Sequence, residues 1–307
     1  MRTLKITVLT ITLLFAFRPL FSQSDSVGLY TMDSLFSFRS PKGYVPSLFH
    51  NLGVQATAPV HFKTKEWIFT GAAVGITFLL IENDNKIEKW AVNQNEQYSW
   101  VHLASPEVTK FGATYGGIAL GGIAVLSAAF KHKKGVETSL LATQALITSG
   151  IWIRLLKLAA GRERPYSSTA TGSERGKQWY GPLPLYDKTF VDRKALEAFD
   201  SFPSGHTDVA FSIATVFAEQ YNDTPVVPII SYSIATLVGL SRLTEHQHWS
   251  SDVFVSSIIG YACGKQVVNH FKKMQATHQT SASLKRKTKT TFSLIQYGNQ
   301  VGITMKW

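Results

Sequence analysis

Six apolar segments, each long enough for a helix, constrain this chain more than any other feature. They cover residues 67–81, 111–130, 138–160, 205–221, 226–240 and 252–271. Apolar segments of this length predict helices rather than strands. The chain has 307 residues, 45% of them hydrophobic, which is enough to bury the core of a single large domain. The sequence therefore predicts a mainly α protein built on a six-helix bundle.

The start of the chain differs in composition from the apolar segments. Residues 1–23 combine a short positive start, an apolar run and small residues near the end, a pattern typical of an export signal peptide. An uncleaved anchor helix is the alternative. Residues 24–66 carry three prolines and show no sustained periodicity, so we interpret them as an extended, irregular arm.

The remaining boundaries follow from composition as well. We expect a catalytic helical domain at 67–274, interrupted by a polar and aromatic excursion at 166–202 that is long enough to act as a lid. Residues 275–291 are predicted to be a basic linker. Alternating apolar residues around a Gly-Asn turn at 298–299 predict a short β-hairpin at 292–307.

The net charge of the chain is compatible with several classes of partner and does not distinguish between them. The formal charge of +11 is compatible with nucleic acid, with an anionic membrane surface or with phosphorylated substrates. The single cysteine, Cys263, lies in an apolar run, which excludes an internal disulfide and a cysteine metal site within the chain.

Two cations follow the third apolar segment. Lys157 lies seven residues before Arg164, and Gly161 together with Arg164-Pro165 predicts that the helix breaks between them. Both side chains can then converge on one anion. The alternative is that they only interact with the helix dipole and the last carbonyl groups.

A second polar motif precedes the fourth segment. In Pro203-Ser204-Gly205-His206, Pro203 and Ser204 suit a helix start, and Gly205 lets the backbone approach an anion closely. His206 would then lie in the first helical turn beside that anion, where it could transfer a proton. Plain turn chemistry is the alternative interpretation.

A third motif contains Arg242, His248 and Asp252. The planar guanidinium of Arg242 suits phosphoryl oxygens. His248 and Asp252 are four residues apart, so they share one face if this stretch is helical, and the carboxylate can accept one ring N–H and leave the other nitrogen free. His246 is the rival nucleophile, but its partner four residues on is Ser250, which cannot hold imidazole charge.

In this order the three motifs resemble those of the type 2 phosphatidic acid phosphatase (PAP2) family, which shares its site with vanadium haloperoxidases and bacterial class A acid phosphatases. The resemblance covers roughly residues 67–271. It implies a PAP2 type of helical bundle, a nucleophile at His248 that forms a phosphohistidine, and Asp252 as the residue that orients it. It also implies that His206 is the general acid. The phosphoryl group would be bound by Lys157, Arg164, Ser204, Gly205 and Arg242.

This resemblance implies a phosphatase that acts on a phosphomonoester or pyrophosphate, on a lipid-linked or small phosphate ester. Three cations and a helix terminus can stabilise the transferring group, so neither a metal nor another cofactor is expected. Nucleic acid is not expected as a partner. Two other functions stay open: a vanadate-dependent haloperoxidase, with vanadate as its cofactor instead of an inhibitor, and a non-catalytic envelope scaffold.

The expected location is the cell envelope, with the site on the periplasmic side and the protein either integral or peripheral to the membrane. Basic clusters at 63–65 and 131–134 favour cytoplasmic positions for those helix ends. An export signal would instead place the start of the first helix outside. The sequence does not resolve this conflict.

Overall fold

The computed structural model describes residues 43–182, 197–287, 291–298 and 300–306. In this part the chain is mainly helical, as predicted. Its helices are α1 (Tyr44–Thr57), α2 (Thr64–Gln97), α3 (Ser99–Thr109), α4 (Thr114–Ala129), α5 (Lys133–Ala160), α6 (Gly205–Gln220), α7 (Val226–Thr244) and α8 (Ser250–Lys287). Two strands, β1 (Thr291–Tyr297) and β2 (Gln300–Lys306), pair antiparallel. How these strands pack on the rest of the molecule stays a prediction.

Six of the described helices, α2 and α4 to α8, coincide with the six apolar segments. Helix α1 corrects the prediction of an extended arm, because residues 44–57 are helical. Its proline, Pro46, lies in the first turn, where a missing N–H removes no intrahelical hydrogen bond. Helix α3 has no counterpart among the apolar segments. Residues 1–42, which hold the predicted signal and the first part of the arm, lie outside the described residues.

Helix α8 corrects the predicted basic linker at 275–291. The helix continues through that stretch to Lys287. The stretch contains lysine, alanine and glutamine, which are all strong helix formers. The predicted excursion at 166–202 is described only in part, since residues 183–196 lie outside the described chain. In its described part, Trp179 packs edge-on against Phe202, with 5.1 Å between the ring centroids.

Helix α6 lies at the centre of the bundle, in contact with α5, α7 and α8. Its contact with α8 requires small residues, because a Cβ at Gly260 would lie 2.7 Å from the carbonyl oxygen of Asp208. A Cβ at Gly264 would lie 2.9 Å from Thr215. Two glycines one turn apart therefore let α8 approach α6 closely. This approach brings the start of α6 beside the start of α8.

The three motifs lie at one end of the bundle. Helix α5 ends and α6 begins there, and α7 ends where α8 begins. Backbone hydrogen bonds connect the segments: Ser201 N donates to Arg162 O at 3.0 Å, and Ser204 N donates to Asp252 O at 3.4 Å. The predicted break after α5 is confirmed. The helix ends at Gly161, whose φ of 53° is left-handed and favours glycine.

Helices α2, α5 and α7 are long and apolar enough to cross a membrane. The pair Ser99–Gly112 and Thr114–Ala129, bent by 50°, would make a fourth span. Large apolar side chains on these helices are exposed, among them Phe78 and Leu79 of α2 and Ile229 of α7, each about two thirds exposed. Such a surface is unusual in a soluble monomer and suits a lipid environment.

Candidate active site

His248 lies in the turn between α7 and α8, buried at 1% exposure. The prediction that it shares a helix face with Asp252 is wrong, because α8 begins only at Ser250. The Asp252 carboxylate turns back to accept a hydrogen bond from Trp249 N at 2.9 Å, which is half of a capping box. This bond fixes the start of α8 directly after the histidine.

The backbone, rather than the carboxylate, makes the closest contact with His248. Its Nδ1 lies 2.7 Å from the carbonyl oxygen of Ser201 and 3.7 Å from Asp252 Oδ2. A carbonyl oxygen can only accept, so Nδ1 carries the hydrogen and Nε2 of the neutral ring is unprotonated. Nε2 is therefore the nitrogen with a free lone pair.

For both His248 and Asp252, burial shifts the pKa in one direction and the contact between the two residues shifts it in the other. Burial lowers the pKa of His248 well below its usual value, even though the nearby Asp252 carboxylate acts to raise it. For Asp252, burial would raise the pKa, but the charge of Arg162 and the interactions with His248 and Ser201 outweigh it and lower the pKa below its usual range. At neutral pH the site thus holds a neutral imidazole and an ionised carboxylate.

Arg162 and Asp84 complete this part of the site, and the sequence interpretation did not single out either one. Arg162 lies inside the first motif, and Asp84 lies three residues beyond the apolar segment 67–81. Both side chains are fully buried. The guanidinium bridges the Asp252 carboxylate at 2.5 Å and the Asp84 carboxylate at 2.7 Å. An acidic residue close to a long apolar segment was the available signal.

The three predicted phosphate-binding cations each have a partner at this end of the bundle. Lys157 Nζ lies 3.0 Å from the Asp200 carboxylate, and Arg242 Nη1 donates to Glu245 Oε2 at 2.5 Å. Arg164 Nη1 donates only to an amide oxygen, that of Gln247, at 2.9 Å. Neither carboxylate partner was predicted.

Three buried donors at the site have no acceptor within the described part of the chain. They are the Nε atoms of Arg162, Arg164 and Arg242. A buried donor without an acceptor costs about 1–3 kcal/mol, so such donors are expected where a ligand supplies the acceptor. Phosphoryl oxygens would satisfy the Nε donors of Arg164 and Arg242.

The second motif differs from the prediction in one respect. Ser204 precedes α6, but its side chain makes no capping hydrogen bond and instead accepts one from Thr207 Oγ1 at 2.9 Å. Its hydroxyl is buried, and its predicted contact with a phosphoryl group stays a prediction. At Gly205 a Cβ would meet no atom within 4 Å, so there is open space beside the first turn of α6.

His206 lies in that first turn and is partly buried. Burial, followed by the charges of Arg242, Arg164 and Lys157, lowers the pKa of His206 to about 4. All three predicted cations therefore lie near enough to act on this ring. In the absence of an anion His206 is neutral at pH 7. A bound phosphoryl group would offset the cations and raise the pKa.

The rival histidine, His246, is separated from this arrangement. Its backbone is left-handed, with φ of 60°, and its ring contacts the Glu88 carboxylate of α2. It does not pair with Asp252. Among the described residues, no group of three or more His, Cys, Asp or Glu side chains could hold a metal ion.

Residues 138–275 match the family model of the PAP2 superfamily. This segment contains all three motifs and every residue predicted for the site. The resemblance drawn from the motifs is confirmed over this segment, which is similar to the PAP2 superfamily.

Proteins similar to this chain include two curated relatives and a solved structure. A lipid A 1-phosphatase of Porphyromonas gingivalis is 38% identical over 69 residues, which are 22% of this chain and 16% of that protein. The probable diacylglycerol pyrophosphate phosphatase 1 of Schizosaccharomyces pombe is 32% identical over 127 residues, 37% of this chain and 46% of that protein. The crystal structure of LpxE from Aquifex aeolicus has a TM-score of 0.44 and 20% identity, covering 61% of this chain and 94% of that one. The chain thus spans less than half the length of either curated relative.

Proposed function

We propose that this chain is a lipid phosphatase that hydrolyses a phosphomonoester or pyrophosphate group through a phosphohistidine at His248, without a metal ion. The observation that carries the proposal is the pair of unpartnered Nε donors of Arg164 and Arg242, at the end of the bundle that also holds Lys157, His206 and His248. The names of the curated relatives, both lipid phosphatases, support the same class of substrate.

In the first step, Nε2 of His248 attacks phosphorus. A P–N bond forms and the P–O bond to the leaving group breaks, with its electron pair passing to the leaving oxygen. His206, protonated once the bound anion has raised its pKa, gives a proton to that oxygen. The three cations stabilise the charge that spreads over the phosphoryl oxygens.

In the second step, water attacks the phosphohistidine. Neutral His206 accepts a proton from the water, a P–O bond forms and the P–N bond breaks. Orthophosphate leaves and His248 returns to its neutral state. The carbonyl oxygen of Ser201 holds the hydrogen on Nδ1 throughout, so the lone pair returns to the same nitrogen.

The exposed apolar surfaces of α2, α5 and α7 support a membrane-embedded position for the bundle. The basic clusters at 63–65 and 131–134 lie at the starts of α2 and α5, at the end of the bundle opposite to the site. Basic ends favour the cytoplasm. We therefore place the site on the outer face of the membrane and the substrate among the lipids of the cell envelope.

Hydrolysis of a substrate panel by the purified full chain tests this function. The panel comprises phosphatidate, phosphatidylglycerophosphate, a polyprenyl pyrophosphate, lipid A and a soluble aryl phosphate. We expect release of orthophosphate from at least one of the lipids, and an acid-labile label on the protein when the substrate carries labelled phosphorus. His248→Ala should abolish both signals, whereas the matched control His246→Ala should keep them.

Three results would contradict the proposal. One is the absence of phosphate release from every lipid of the panel. Another is wild-type turnover by His248→Ala. The third is an equal loss of activity in His246→Ala, which would reassign the nucleophile.

A further inference from the structure

We propose that Asp84, on α2, is a positioning residue for His248 that acts through Arg162 and Asp252. The inference rests on the proposed phosphohistidine function and extends it to a helix outside the segment 138–275 that matches the PAP2 superfamily. Asp84 would set both the place of the nucleophile and its tendency to accept positive charge.

The first step of the argument is the bridge made by Arg162. Its Nη1 donates to Asp252 Oδ1 at 2.5 Å, and its Nη2 donates to Asp84 Oδ2 at 2.7 Å. All three side chains are fully buried. The guanidinium also lies over the ring of Trp179, 4.5 Å from its centroid. An arginine held on both sides in this way has little freedom to leave either carboxylate.

The second step is the contact of Asp84 with the start of α8. Its Oδ1 accepts hydrogen bonds from Ser250 Oγ at 2.6 Å and from Ser251 N at 2.9 Å, and its Oδ2 accepts one from Ser251 Oγ at 2.5 Å. Backbone N–H groups at a helix start otherwise lack partners. Asp84 therefore fixes the turn that carries Asp252, in addition to holding Arg162.

The third step is charge. Asp84 and Asp252 contribute two negative charges, and Arg162 contributes one positive charge, so the buried cluster beside His248 is negative overall. The imidazole gains positive charge when Nε2 bonds to phosphorus, and a negative cluster stabilises that charge. The other charged groups that act on the ring are Arg164 and Lys157, whose positive charges act in the opposite direction. Asp84 thus offsets part of their effect.

The test compares Asp84→Asn with the wild-type chain on a substrate that the wild type hydrolyses. We expect kcat to fall about 10- to 100-fold, as is typical when an outer partner of a functional residue is replaced, with KM little changed. Removal of a negative charge also lowers the pKa of His248. The acid limb of the kcat/KM profile, where His248 must lose its proton, should therefore move to lower pH.

Glu82→Gln is the matched control. Glu82 lies on the same helix, but its carboxylate is at the surface, where it pairs with Lys177. The substitution removes one negative charge from α2 without touching the buried cluster. We expect its kcat and its acid limb to equal those of the wild type.

The position of the acid limb does not depend on how much of a preparation is folded, so partial misfolding of Asp84→Asn leaves the test intact. An unshifted acid limb in Asp84→Asn, a shift to higher pH, or an equal shift in Glu82→Gln would overturn the inference. If the wild type itself releases no phosphate and forms no acid-labile phosphoenzyme, the proposed function fails instead. The two failures are therefore distinguishable.

Discussion

The Nδ1 atom of His248 lies 2.7 Å from the carbonyl oxygen of Ser201, closer than the 3.7 Å that separates it from the Asp252 carboxylate. The two contacts have different roles in orienting the His248 ring. The carbonyl oxygen fixes which ring nitrogen carries the hydrogen, because it cannot donate. The carboxylate supplies charge and, through Trp249 N, holds the start of α8.

This division predicts a moderate effect of Asp252→Asn. Where a triad aspartate also fixes the tautomer, its replacement by asparagine costs about 10⁴-fold in kcat. Here the carbonyl oxygen of Ser201 fixes the tautomer of His248. We therefore expect the loss of the Asp252 charge alone to lower kcat about 100-fold. Turnover of an alkyl phosphate and of nitrophenyl phosphate should fall by the same factor, since the nucleophile is weakened whatever group departs. A loss near 10⁴-fold would show that the carbonyl contact does not suffice.

His206→Ala should depend strongly on the leaving group. An alkoxide must be protonated as it departs, whereas a nitrophenolate need not be, and general acid catalysis is worth about 10²–10⁴-fold. We therefore expect a loss in that range for the alkyl phosphate and a much smaller loss for nitrophenyl phosphate. Parallel assays with Asp252→Asn provide the comparison. The same leaving-group dependence in both variants would contradict the separate roles.

The pKa of His206 should rise when an anion binds. Burial and the charges of Arg242, Arg164 and Lys157 lower it to about 4 in the free site. A bound orthovanadate offsets those cations, so the protonated ring becomes easier to form and the pKa moves upward. NMR titration of the His206 ring with and without orthovanadate measures this change. A pKa that stays the same or falls would mean that the anion does not bind beside this ring.

Activity should survive chelating agents and should be inhibited by orthovanadate. The charge of the phosphoryl group would be met by Lys157, Arg164 and Arg242, and orthovanadate resembles the transition state in shape and charge. Rates measured before and after treatment with a chelator, followed by a vanadate titration, check both statements. A strict requirement for added magnesium or zinc would contradict the first.

Gly260→Ala should destabilise the bundle by about 1–3 kcal/mol, because the new methyl group would overlap the backbone of α6. The Cβ would lie 2.7 Å from the Asp208 carbonyl oxygen. Gly121→Ala is the matched control, since a Cβ at that helical position meets nothing within 4 Å. It should leave stability unchanged or raise it by up to about 1 kcal/mol. Thermal unfolding in one detergent measures both variants, and equal midpoints would contradict the close approach.

The sequence was most informative where a local pattern determined the structure. Apolar segments predicted six helices, and the break after α5 was predicted from Gly161 and the following Arg164-Pro165. Helix α1 was missed because prolines were interpreted as signs of extended chain, although a proline in the first turn is compatible with a helix.

The contacts that complete the site could not be predicted in the same way. Asp84 and Asp252 are 168 positions apart, and only the packing of α2 on α8 brings their carboxylates to one guanidinium. The carbonyl oxygen of Ser201 leaves no mark in the sequence, because every residue has one. Side-chain spacing indicated which residues carry the chemistry, whereas tertiary packing decides which groups orient them.

Two of the three cations form ion pairs with carboxylates of the chain itself: Lys157 with Asp200, and Arg242 with Glu245. In the proposed function these carboxylates would compete with the phosphoryl oxygens for Lys157 and Arg242, whereas the unpartnered Nε donors of Arg164 and Arg242 would bind oxygens without displacing a carboxylate. Part of the attraction between cations and anion would then be lost in every complex, including the complex with orthophosphate. We therefore expect the product to leave more readily than it would from three bare cations.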